Sequence, residues 1–412
     1  MQKASRIHWW AAGAAAMALV AVAACGKSST TTSTTVANTA SGSDKGKTLK
    51  LGAVFSLTGG GGVYGPQQKQ AVQLAVDTIN ATGGVNGATV SFDVVDDGST
   101  PTQSSQQTET LIQQNQVVAL LGPTLSNSAV SAHPKANGFK TPMLAVSTTG
   151  LHIVGDCPYP CTYIFRDSLG EATAIPANIK TYVASANPKP KTGVLLYPED
   201  DKFSVDGATI VGQTVTDPSI AIQLLATIKF SKSDADLTQF VNQAVAKHPD
   251  VIFITSLGGI PAKIMTAARQ QGFTGQFLGG NGFNSAAVSK QAANFGKGAQ
   301  SASAWYLGND FPSNAEFVKA FKAKYATDPD QFAAQAYTGV LILVDAAKRA
   351  KLTYTDLAGD REKLHAALEA TNIQTPLGPF QFTSTHDVHQ TIWIISMDGQ
   401  GGFNLVTSIK PS

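Results

Sequence analysis

The sequence predicts an α/β fold of two lobes, each a parallel sheet covered by helices, with a cleft between them. Short apolar runs alternate with amphipathic, helix-length segments from Leu49 onward, and a second series of the same kind starts near residue 192. Alternation of this sort winds by right-handed crossovers into parallel sheets covered on both faces. The chain has 412 residues, 43% apolar and 14% charged, enough for two buried cores.

In the first series "LKLGAVFSL" reads as a buried strand. "PQQKQAVQLAVDTIN" follows, with Ala71, Val72, Ala75, Val76 and Ile79 at helical spacing. Pro66 suits the first helical turn, and Gly83 and Gly84 suit its end. "TVSFDVVDD", "VVALLG" and "TPMLAVS" read as strands, with "QSSQQTETLIQQ" and "NSAVSAHPKANGF" as the helices between them. The second series has strand candidates "TGVLLYP", "IAIQLLATIK", "DVIFITS" and "GQFLGG". Helices are expected near 170–185, 203–215, 234–247 and 261–271. "NAEFVKAFKAKYA" and "FAAQAYTGVLILVDAAKRA" are helical in pattern, and the tail from Gly378 reads as hairpin-like.

The chain opens on "MQKASRIHWW", with Lys3 and Arg6 and no acid, followed by the apolar "AAGAAAMALVAVAA" and Cys25. That is the layout of an export signal, over residues 1–24. The apolar run is shorter than the roughly 20 residues of a membrane helix. "VAAC" resembles the lipobox of bacterial lipoproteins. The resemblance implies that Cys25 is lipidated and holds an extracytoplasmic protein to the bacterial cell membrane, the alternatives being an uncleaved anchor or a secreted chain. Residues 25–48, rich in Ser and Thr, read as a disordered tether. Its root-mean-square span is on the order of 25 Å. Removing Lys3 and Arg6 from 30 basic residues leaves 28 against 28 acidic. With no basic surplus, nucleic acid is excluded as a partner.

"SLTGGGGVYG" contains G-x-G-x-x-G at Gly60, Gly62 and Gly65, the spacing of a dinucleotide-binding loop. An exported protein meets little of such a cofactor, so no cofactor is expected. Asp96 and Asp97 end a strand and read as structural. Cys157 and Cys161, in "CPYPC", read as a disulfide in a compartment that permits one; two reduced loop cysteines are the alternative. His386, Asp387 and His389 are metal-ligand types, but in a hairpin turn they read as a solvated turn, and no metal is expected. No nucleophile elbow or catalytic set is visible, so the chain reads as a binder, not an enzyme.

Taken together, "LGAVFSLTGGGGVYG", "AVQLAVDTINATGGVNG", "VVDDGSTP", "VVALLGPTLSNS", "TPMLAVSTT", "YIFRDS", "AARQQGFTGQFLGG" and "TPLGPFQF" resemble the type I periplasmic-binding-protein family, in its leucine/isoleucine/valine-binding branch. The resemblance covers Leu49 to Ser412. It implies two Rossmann-like lobes joined by a hinge, 49–168 with 304–378 and 169–303 with 379–412. It further implies a monomer that binds a small solute in the cleft and delivers it to an ABC transporter permease.

By the same resemblance the ligand-binding residues are Tyr64, Ser126, Ser147, Thr148, Thr149, Phe203, Gly259 and Asn281. Tyr64 stands at the family's aromatic in the first loop, and Ser126 at its carboxylate-contacting serine near a helix start. Thr149 is the first choice for a ligand-facing hydroxyl. Phe203 replaces the family's usual Tyr, and Leu257 to Ile260 are small where a second aromatic is common. Asn281 stands where amino-acid-binding relatives often carry an acid. A buried ammonium without an anion is expensive. Either Glu171, Asp200 or Asp201 supplies the acid, or the solute is an amide, keto acid or aromatic acid. A sensory module serving a signalling partner, or an enzyme on the same fold, are the alternative functions.

Overall fold

Strands buried on both faces need helices above and below them, and the chain supplies these in order. The computed structural model describes residues 43–411. The export signal, Cys25 and most of the tether lie outside the described residues. The end of the tether is inside them: Asp44 is buried, its N–H donates to the Asn86 carbonyl at 3.0 Å, and it pairs with Lys47.

The first sheet comes from β1 (Thr48–Phe55), α1 (Gly65–Ala81), β2 (Thr89–Asp96), α2 (Pro101–Gln113), β3 (Ala119–Leu121), α3 (Ser126–Gly138), β4 (Met143–Ala145) and β5 (Ile164–Arg166). Its order is β2-β1-β3-β4-β5, all parallel. The chain then crosses into α4 (Glu171–Ser185), β6 (Thr192–Pro198), α5 (Lys202–Val215), β7 (Gln223–Phe230), α6 (Thr238–Val245), β8 (Val251–Ile254), α7 (Ile260–Gln270), β9 (Gln276–Gly279), α8 (Ala286–Ala292) and β10 (Gln300–Ser303). It returns for α9 (Pro312–Tyr325), α10 (Gln331–Ala350), α11 (Leu357–Glu369), β11 (Asn372–Thr375) and β12 (Gly378–Gln381), and finishes with β13 (Ile392–Met397) and β14 (Phe403–Ile409). The second sheet runs β14-β13-β10-β9-β8-β6-β7, antiparallel only at β13 and β14.

The fold is the two-lobed α/β arrangement that the strand–helix alternation predicts. One core joins β1, α1 and α10 through Leu51, Phe55, Val72, Ala75, Val340 and Leu343. Others lie under the second sheet, around Ile252, Phe277 and Met265, and around Ile179, Val211 and Phe253. The tail differs from the single hairpin expected. β12 pairs back with β11, and β13 pairs with β14 in the other sheet. The first core also takes Leu377, Phe380 and Val388, so the last passage to the second sheet lies beyond residue 378.

β10 and α11 carried no readable periodicity. β10 is "QSAS", buried yet without an apolar run. α11 turns Asp360 and Arg361 inward beside Leu364 and Leu368. Arg361 donates to the carbonyl of Ile112, an end-of-helix acceptor of α2, and to that of Val117 just before β3.

Candidate functional site

In an open parallel sheet, ligands bind beyond the carboxyl ends of strands where the strand order reverses. In the first sheet that point lies between β1 and β3, and in the second between β6 and β8. The two points face each other across a groove of about 370 Å³. Gly60, Leu125 and Asn127 line it from the first lobe, and Asp201, Ser204 and Gly259 from the second.

Inward of the groove the lobes meet in a buried polar seam. Tyr64, one residue before α1, is 1% exposed and packs on Phe332 at 4.5 Å between ring centroids. Its hydroxyl donates to the Gly282 carbonyl at 3.2 Å and accepts from the Gly258 N–H at 2.9 Å. Both partners belong to the other lobe. Asn127 on α3 donates to Asp201 at 2.8 Å and accepts from the Lys202 N–H at 2.7 Å. Gln331, opening α10, donates to Asn281 and accepts from Asn284 and the Ala304 N–H.

Glu171 opens α4 at the middle of this seam and is fully buried. Its Oε1 accepts from the Asn281 N–H at 2.7 Å and from the Thr149 hydroxyl at 3.3 Å. Its own N–H donates to the Thr149 carbonyl at 2.8 Å. Oε2 has no partner. Burial pushes its carboxyl up to about 7, although the Asn281 N–H, the Thr149 hydroxyl and nearby Arg166 oppose the rise. A carboxylate so placed is a ready partner for a cation or a proton.

A profile described as periplasmic binding protein matches residues 48–402. The chain belongs to the periplasmic binding protein family. Over 355 residues it is 25% identical to the leucine-, isoleucine-, valine-, threonine- and alanine-binding protein of Pseudomonas aeruginosa, covering 86% of this chain and 90% of that one. Among solved structures it resembles the branched-chain amino acid transporter substrate binding protein LivJ from Streptococcus pneumoniae in complex with isoleucine. That match has a TM-score of 0.79 at 25% identity, covering 89% of this chain and 100% of the other. An R. palustris solute binding protein in complex with benzoate superposes with a TM-score of 0.76 at 22% identity, over 88% and 97% of the two chains. At that identity the likeness speaks for the fold alone.

The residues named from the sequence of this periplasmic binding protein fall in distinct places. Ser126 is the first residue of α3, not its cap. The cap is Leu125, no side chain caps the helix, and the Ser126 hydroxyl instead accepts from the Gly150 N–H at 3.2 Å. The first backbone N–H groups of α3 therefore lack an intrahelical or capping partner. Thr149 meets Glu171, and the Thr148 hydroxyl is buried without a partner. Ser147 is turned into the first lobe, donating to the Thr124 carbonyl and accepting from Gln68. Phe203 is buried on α5 and does not line the groove. Gly259 lines the groove. The Asn281 side chain is taken up by Gln331 and by the Ser147 carbonyl at 3.4 Å.

Of the three acids considered for the cleft, Glu171 alone is in the seam with a free oxygen. Asp201 caps α5 through Ser204, and Asp200 holds Ser231 and the Lys232 N–H at the surface. Sequence reasoning gave no place to Asn127 or Gln331. Gln331 lies far along the chain from Asn281, and no local pattern connects them.

The glycine-rich loop is built for close approach between lobes. Its donors are consumed locally: Asp96 accepts the N–H groups of Leu57 and Thr58, and Ser99 accepts that of Gly61. A Cβ on Gly65 would sit 2.0 Å from the Ser56 carbonyl oxygen. A Cβ on Gly258, whose φ is +66°, would sit 2.7 Å from that of Gly60. Cys157 and Cys161 are joined by a disulfide. The "HDVH" turn is less solvated than expected, because Asp387 forms a two-point ion pair with buried Arg166.

Proposed function

We propose that this chain is the exported, lipid-anchored solute receptor of an ABC importer, and that its solute is a small α-amino acid. The observation that carries the reading is Glu171. It sets an acid in the buried seam next to Asn281, with one oxygen bonded within the protein and the other without a partner. A solute ammonium would pair with Oε2, and its carboxylate would face the uncapped start of α3 beside Ser126, where free N–H groups and the helix dipole favour an anion. Thr149 borders the two ends, and Phe203 faces the solute's side chain.

Binding and closure are one equilibrium. Tyr64, Asn127 and Gln331 make their contacts across the lobes only in the shut form, so a solute touching both lobes favours that form. A micromolar solute supplies about 8 kcal/mol for desolvation, ordering and closure together. The shut surface is what a permease would recognise.

The reading is supported by the family membership and by the amino-acid binding of the P. aeruginosa relative. Calorimetric titration of the mature protein with a panel of amino acids, amides and aromatic acids tests it. Saturable binding of an aliphatic α-amino acid, without turnover, is expected. Binding confined to aromatic monoacids would overturn the amino-acid assignment and leave the receptor role standing. Loss of uptake on deletion of the chain separates importer from sensor.

A further inference from the structure

His386 belongs to a second arrangement, away from the cleft. His365 and Glu369 lie one turn apart on the last part of α11, and the turn between β12 and β13 brings His386 against them. Glu369 Oε1 is 3.6 Å from His386 Nε2 and 3.9 Å from His365 Nε2, and one ligand atom from each residue lies within 4.8 Å of the others.

We propose that His365, Glu369 and His386 form a binding site for a divalent first-row transition metal, of which zinc is the expected occupant. Two imidazoles and a carboxylate are the donor set of three-ligand zinc sites, and imidazole nitrogen selects against calcium and magnesium.

Both rings are held before any metal arrives. His386 stacks on Phe165, with centroids 4.1 Å apart and planes inclined by 14°, and its Nδ1 donates to the Ile164 carbonyl at 3.1 Å. That bond fixes the tautomer and leaves the Nε2 lone pair directed toward Glu369, the usual outer support of a ligating histidine. The His386 backbone has φ of +61°, a left-handed conformation uncommon for a side-chain-bearing residue.

His365 packs against Tyr163 and Phe165. Its Nε2 faces two acceptors, Glu369 Oε1 and the Thr162 carbonyl at 2.9 Å. For zinc to bind there, the His365 proton moves to Nδ1. The carboxylate, half exposed at the helix end, swings inward until ligand atoms stand about 3.3 Å apart, as bonds of about 2.0–2.1 Å require. A metal here would clip α11 to the turn that precedes the last passage between the lobes.

The test is calorimetric titration of zinc chloride into chelator-treated full-length mature protein, with cobalt(II) absorption as a second readout. Saturable one-site binding and a higher melting temperature are expected, with a cobalt spectrum of four- or five-coordinate type. Glu369→Gln and His386→Asn should each weaken affinity by roughly tenfold or more. Asn tolerates the left-handed backbone, and circular dichroism checks that each variant folds. No saturable binding, or undiminished binding in His365→Gln combined with His386→Asn, would overturn the proposal.

Discussion

Glu171 and Asn281, 110 positions apart, are joined by a 2.7 Å hydrogen bond from the Asn281 backbone N–H to the Glu171 carboxylate. The amide side chain of Asn281 is held by Gln331 and Ser147. The start of α4 thus sets a buried carboxylate against the Asn281 backbone, while the Asn281 side chain serves contact between the lobes.

With the proposed solute, Glu171 should make binding depend on pH. Its carboxyl sits near 7 when buried alone, and an ammonium binds the ionised form. Affinity for an α-amino acid should rise about tenfold per pH unit up to 7 and then level off, with proton release on binding below that point. Titration in two buffers of different ionisation enthalpy measures both. Glu171→Gln should weaken amino-acid binding roughly 100-fold at pH 8 and abolish the pH dependence.

The same shift governs stability of the free protein. The folded carboxyl titrates above its ordinary value, so the unfolded chain ionises first. Stability is complete below about pH 4.5 and falls as pH rises toward 7, by roughly 3 kcal/mol. Thermal melts of Glu171→Gln should show a gain at pH 8 and none at pH 4.5.

Asp167 is a second buried acid, with neither side-chain oxygen partnered, and burial raises its carboxyl well above the usual range. A folded carboxyl raised in this way loses stability as the pH rises from the unfolded value through the folded one. Asp167→Asn keeps the shape and cannot ionise. Its melting temperature should exceed that of the parent increasingly as pH rises, in matched scanning calorimetry.

Tyr64→Phe removes a hydroxyl that serves the Gly258 N–H and the Gly282 carbonyl only when the lobes are shut. In the open form water serves those groups. The shut form should lose about 1–3 kcal/mol, seen as a roughly 5- to 150-fold weaker solute affinity and a larger radius of gyration at subsaturating solute. An unchanged radius and affinity would show that this contact does not hold the lobes together.

Ser126→Ala deletes a hydroxyl bonded to the Gly150 N–H at the start of α3. Affinity for the solute should fall about tenfold, with the loss tracking the solute carboxylate: an amide analogue should lose less. Competition binding with the acid and its amide measures the difference.

Much of this molecule was legible in its sequence because parallel strands buried on both faces are written as apolar runs. β1, β6 and β8 were read at nearly their observed positions. β10 was not, because Gln300, Ser301 and Ser303 are buried by hydrogen bonding to Asn178, Asn284 and Gln331 rather than by apolarity. The candidate site could be proposed from the sequence where local chemistry marks it, as at Ser126, Thr149 and Phe203. It was illegible where two distant segments share a role. Tyr64 reads as a cleft aromatic, and its hydroxyl joins the lobes through Gly258 and Gly282; of the three acids named from the sequence, Glu171 is the one that accepts from the Asn281 N–H.

The most direct test of the account compares an aliphatic α-amino acid with the same carboxylic acid lacking its amino group, by calorimetry at pH 8. The account predicts that removing the amino group weakens binding at least 100-fold in the parent and far less in Glu171→Gln. Equal or tighter binding of the acid without the amino group would contradict it.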